Sequence, residues 1–106
     1  MNNGEAMKNK VYMGVLYKDA YAALQPYQKE NITEREIGLA CHALVDIAEI
    51  NGLTVKAFAQ KVIEAEQKEG VLTKLFPKLA ATTEDKKAYL AAINGLKGFT
   101  GESNTS

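Results

Sequence analysis

Thr33-Glu34-Arg35-Glu36-Ile37-Gly38-Leu39-Ala40-Cys41-His42-Ala43-Leu44-Val45-Asp46-Ile47-Ala48-Glu49-Ile50-Asn51-Gly52 opens with a helix start signal and closes with a helix stop. Thr33 as N-cap with Glu36 three residues on makes a capping box, and Ile32 with Ile37 has the spacing of a hydrophobic staple. Asn51-Gly52 supplies the residue types that adopt the left-handed conformation beyond a helix C-terminus. Wound as a helix, residues 34–50 are apolar over most of the circumference, leaving a narrow polar stripe of Arg35, His42, Asp46 and Glu49 with Leu39 among them. A helix apolar on most sides must be surrounded by neighbours. The spacing therefore predicts an all-α bundle with this helix at its centre.

Outward from it, Thr54 caps a second helix, with Leu53 and Phe58 repeating the staple spacing. Val55, Phe58, Ala59, Val62 and Ile63 are expected to form its buried stripe and Lys56, Gln60, Lys61, Glu64 and Lys68 its wet face, with Gly70 as the stop. On the N-terminal side, residues 8–25 wind into a helix that gathers Tyr12, Met13, Leu16, Ala20, Ala23, Leu24 and Tyr27. Helix is preferred to strand for Val11–Tyr17, because no second β-rich run exists to pair with it. Pro26 biases Gln25 out of the helical region and should end that helix. Residues 71–81 read as a helical turn, a break at Pro77 and another turn. Thr82 or Thr83 then caps a last helix, Glu84 to about Lys97, that buries Tyr89, Leu90, Ile93 and Leu96. The expected organisation is four main helices plus the Pro-broken segment in one domain over residues 8–97, with a flexible 1–7 and a disordered tail at 98–106.

Composition agrees. The chain has 106 residues, 46% of them apolar and 25% charged, as in ordinary globular domains. No apolar run approaches the length of a membrane span, and residues 1–7 lack the pattern of a secretion signal. A single cysteine, Cys41, excludes an intrachain disulfide, and a cytoplasmic location is expected. Thirteen basic and thirteen acidic residues balance, but unevenly along the chain. Residues 30–70 hold eight acids against four bases, a net −4, and residues 71–98 hold five bases against two acids, a net +3.

Catalytic signatures are missing: there is no Gly-rich phosphate loop, no G-x-S-x-G elbow and no paired-cysteine site. His42 and Asp46 stand one helical turn apart, but a metal needs three or four ligands and only Glu49 joins them. Cys41 falls on the apolar side and reads as a small buried hydrophobe. No enzyme activity, cofactor or metal is expected.

Two features point to binding. Four of the five tyrosines, Tyr12, Tyr17, Tyr21 and Tyr27, lie in the first segment. Tyr17 and Tyr21 are one turn apart at the edge of its buried stripe, and tyrosine there supplies contact area with a hydrogen-bonding tip. The leading expectation is a non-enzymatic module that binds another protein, or a second copy of itself, through Tyr17 and Tyr21. An inhibitor, an immunity or adaptor protein, or a phage or plasmid accessory factor fits that description.

The second feature is the run from Leu44 to Phe58, with Ala48, Gly52, Leu53 and Phe58 at their respective spacings. It resembles the helix-turn-helix element of many bacterial DNA-binding domains. That resemblance implies a DNA-binding regulator whose second helix enters the major groove with Lys56, Gln60 and Lys61. Nucleic acid is the alternative partner, disfavoured by the acidic middle of the chain, because carboxylates near phosphates oppose the electrostatic part of DNA affinity.

Overall fold

The computed structural model describes residues 17–99. The expectations for residues 1–7, for the first half of the opening helix with Tyr12, Met13 and Leu16, and for residues 100–106 lie outside the described residues.

Within them the chain is all-α. The first helix, α1, runs over residues 17–24 of the described part and tightens into a 3-10 turn, Gln25–Tyr27, that takes Pro26 into its first positions. A narrow turn follows in which Lys29 and Ile32 exchange backbone hydrogen bonds of 3.0 and 3.1 Å. Then come α2 (Glu34–Ile50), α3 (Val55–Glu69), α4 (Val71–Ala81) and α5 (Asp85–Leu96), with a closing 3-10 turn, Lys97–Phe99.

Local sequence sets the ends of α2 and α3. The Glu36 carboxylate accepts from the Thr33 N–H at 2.7 Å and from its hydroxyl at 2.5 Å, completing the capping box. At the other end Gly52 takes a φ of 69°. Its N–H reaches the Glu49 carbonyl and the Leu53 N–H reaches the Ala48 carbonyl, the paired bonds of a Schellman motif. Thr54 accepts from the Ala57 N–H to start α3. Gly70, at φ 68°, both ends α3 and begins α4.

α2 is the hub. Ile37, Ala40, Cys41, Ala43, Leu44, Val45, Ile47 and Ala48 are all buried, and the helix packs against α3, α4 and, most extensively of these, α5. Ile50, its last residue, departs from the expected pattern: it is 81% exposed, with nothing among the described residues covering the helix end on that side.

Three sequence expectations are corrected. The segment around Pro77 is one continuous helix, with no break. Pro77 removes the bond to the Thr73 carbonyl, but both residues are exposed, so water can take that carbonyl. Leu72, Leu75, Phe76 and Leu79 meanwhile hold both halves of α4 in the core. The face of α5 also differs. Ala88, Ala92 and Leu96 are buried, Tyr89 and Ile93 are half-buried, and Leu90 is 49% exposed. Small residues let α5 approach its neighbours closely. At Gly95 a Cβ would stand 3.0 Å from the Leu75 side chain, so this glycine makes room for α4. Neither Thr82 nor Thr83 caps α5. Thr82 closes α4, its hydroxyl donating to the Lys78 carbonyl at 2.7 Å, and Glu84 occupies the N-cap position. Beyond α5, Phe99 of the closing 3-10 turn packs against the core.

Candidate functional site: a tyrosine face on the central helix

Tyr17 and Tyr21 lie where α1 crosses the exposed edge of α2. Their rings stack with centroids 6.1 Å apart and planes 22° from parallel. Tyr17 also tilts against the His42 ring at 5.6 Å. Gly38 permits this approach: a Cβ there would stand 2.9 Å from the Tyr17 hydroxyl. The Tyr21 hydroxyl donates to the Glu34 carboxylate at 3.3 Å. Both tyrosines are half-buried, whereas Glu34 and His42 are exposed. Tyr17 thus spends part of its surface holding α1 to α2, and Tyr21 presents the freer edge.

Burial keeps the groups at the base of the pair protonated. Burial pushes the Tyr17 phenol up to about 12, with the neighbouring Cys41, Tyr21 and Glu34 adding to the effect. Burial likewise pushes the Cys41 thiol up to about 12, although a hydrogen bond with Tyr17 works the other way. A thiol so fully protonated is a packing residue, as expected from its place on the apolar side.

A third tyrosine reaches the same exposed ridge of α2 from the opposite end of the chain. The Tyr89 hydroxyl of α5 donates to the Asp46 carboxylate, and burial together with that bond pushes its phenol up to about 12. His42 and Asp46 therefore serve different tyrosines and do not pair with each other. Among the described residues no group of three or more His, Cys, Asp or Glu side chains is placed to hold a metal ion. No single described helix is long and apolar enough to cross a membrane.

The three α3 residues of the helix-turn-helix expectation are not brought together. Lys56 and Gln60 line a groove of about 520 Å³ between α1 and α3, with Ala22, Ala23 and Ile63 among its walls. Lys61, half-buried, lies on the other flank of α3, in a separate recess of about 240 Å³ shared with Lys68 and Phe99. Glu64 borders both. Across Asn51–Thr54 the chain turns by 120° between α2 and α3.

Three polar side chains hold the fold: Glu36 has the local signature of the capping box, and the reach of Arg35 and Glu66 has none. Arg35, on the polar stripe of α2, is a clamp. Its guanidinium donates to the carbonyls of Leu79, Thr82 and Thr83 and to the carboxylates of Glu36 and Asp85, tying the first turn of α2 to the α4–α5 connection. Glu36 is 5% exposed; burial alone would raise its pKa, but the bonds from Thr33 and Arg35 outweigh it and hold the carboxyl below its ordinary value. Glu66 of α3 caps α4, accepting from the N–H groups of Leu72 at 2.7 Å and Thr73 at 3.0 Å and from the Thr73 hydroxyl at 2.6 Å.

No family model, curated protein or solved structure matches this chain.

Proposed function

We propose that this protein is a small non-enzymatic module that binds another protein through the face built by Tyr17, Tyr21, Glu34 and His42. The observation that carries the reading is the stacked tyrosine pair, kept half outside the core on an exposed edge of a helix that the described residues otherwise largely enclose. Rigid aromatic area with hydroxyl tips is what protein interfaces concentrate. Fixing the rings before a partner arrives lowers the ordering cost of binding. Tyr89 at the same ridge extends the surface, and the exposed carboxylate of Glu34 gives it an acidic margin.

The test compares the protein and its Tyr21→Ala variant as baits in the native host, with captured chains identified by mass spectrometry and the fold monitored by circular dichroism. A partner retained by the parent and lost from a folded Tyr21→Ala supports the reading. A partner held equally by both overturns the choice of surface.

A DNA-binding regulator is the second reading, favoured by the 120° turn between α2 and α3. Against it, Lys61 stands apart from Lys56 and Gln60, with Glu64 beside each, so a groove-reading helix would carry a carboxylate toward the phosphates. An electrophoretic shift with random DNA at low salt separates the two. The regulator requires binding that weakens steeply with salt and falls in Lys56→Glu, and no binding at low salt removes it.

A further inference from the structure

The groove between α1 and α3 lies apart from the tyrosine face and is lined differently. Its floor is small and apolar, with Ala22 and Ala23 from α1 facing Ala59 and Ile63 from α3. Its rim carries Lys56, Gln60 and Glu64 along α3, one helical turn between neighbours, with Gln67 beyond them and the exposed carboxylate of Asp19 across the groove on α1. Small residues on a groove floor let another helix come close, and an occupant must answer a rim that is positive at Lys56 and negative both at Glu64 two turns later and at Asp19 on α1.

We propose that the occupant is a second copy of this chain, with α3 of one protomer lying antiparallel on α3 of its partner about a two-fold axis near Gln60. The argument is self-complementarity. A two-fold axis presents the same patch twice in reversed order, so Lys56 of each protomer falls within reach of Glu64 on the other. Two opposite-charge contacts form from one pair of residues, with Gln60 near the axis. Lys56 and Glu64 are both exposed, and among the described residues no hydrogen bond or salt bridge engages either side chain. The apolar floor is modest, so the association is weak and its specificity is electrostatic.

The test is a charge exchange, read as mass against concentration by sedimentation equilibrium from about 10 µM to about 1 mM at low salt. The parent chain is expected to form dimers in that range. Lys56→Glu and Glu64→Lys each place like charges at both contacts, and each should raise the dissociation constant about tenfold or more. Mixing the two variants is decisive. Lys56→Glu offers Glu at both positions and Glu64→Lys offers Lys at both, so a heterodimer regains two attractive contacts and should associate at least as tightly as the parent. The double variant Lys56→Glu/Glu64→Lys should also recover self-association. Both positions are exposed, and circular dichroism of each variant confirms that the fold is kept.

A parent chain that stays monomeric throughout overturns the proposal and leaves the groove to a different occupant. Dimers that persist in both single variants, or a mixture no tighter than its components, overturn the antiparallel pairing. The tyrosine-face reading is tested by different residues and survives either failure.

Discussion

Replacing Glu66 by glutamine tests whether a side chain from one helix serves as the cap of the next. α4 begins at Gly70, which has no side chain to offer its N-terminal N–H groups, and the Glu66 carboxylate takes their place through Leu72 and Thr73. Glutamine keeps one carbonyl oxygen of nearly the same shape, so the two backbone bonds can persist, but it loses the charge. Charge-assisted bonds are roughly twice as strong as neutral ones, and a negative charge at a helix N-terminus adds roughly 0.3–1 kcal/mol. With a discount for the partial exposure of the site, the substitution should cost about 1 kcal/mol at pH 7. In a domain of this size that lowers the melting temperature by about 4 °C.

The pH dependence sharpens the test. Burial works to raise the Glu66 pKa, but the bonds from Thr73 and Leu72 and the nearby Lys29 charge hold it below the ordinary carboxylate value. A depressed folded-state pKa means that the stabilisation is complete above the unfolded-state value, about 4.3, and is lost as pH falls through the folded-state value. Thermal or urea unfolding of parent and Glu66→Gln should thus differ at pH 7 and converge near pH 2–3. Glu36 titrates in both proteins and cancels in the difference. An equal gap at both pH values, or none at pH 7, would refute the capping argument.

Leu44→Ala removes a side chain with no exposure at the centre of α2 and should cost about 2–5 kcal/mol in urea unfolding; a loss under about 1 kcal/mol would show that α2 is not the hub. Tyr89→Phe strips the Asp46 carboxylate of its partner and should cost about 0.5–1.5 kcal/mol near neutral pH. With Tyr17 and Tyr89 both pushed up to about 12 in the fold, their contributions are complete below the unfolded value of about 10 and are lost as pH rises toward 12. Alkaline unfolding of Tyr89→Phe should therefore be shallower than that of the parent, and identical profiles would contradict the bond. Cys41, buried and held protonated, should resist iodoacetamide at pH 8 until denaturant is added; rapid labelling of the folded chain would mean that α1 does not cover it.

The parts of this fold legible in the sequence are those with local causes. Thr33, Glu36, Asn51, Gly52, Thr54 and Gly70 mark the limits of α2 and α3 because caps and left-handed turns are decided within a few residues. Pro77 misled for the complementary reason: a local rule predicts a break, and packing by residues from elsewhere in the chain restores the helix. The buried face of α5 was hidden because alanines carry little hydrophobic signal, yet Ala88 and Ala92 are what allow close approach. Of the candidate surface, the Tyr17 and Tyr21 pairing was readable as a one-turn spacing. The arrival of Tyr89 at Asp46, 43 residues away, and the reach of Arg35 to Asp85, 50 residues away, leave no trace in local pattern.

The Arg35 clamp also bears on the birth of the chain. Its acceptors lie between Leu79 and Asp85, and the heaviest packing on α2 comes from α5. A ribosome translating past residue 70 has therefore delivered the hub but none of what shields its far side. Closure must wait until α4 and α5 have been made, and until then the nascent polypeptide offers a greasy surface to chaperones and to its neighbours on the same polysome.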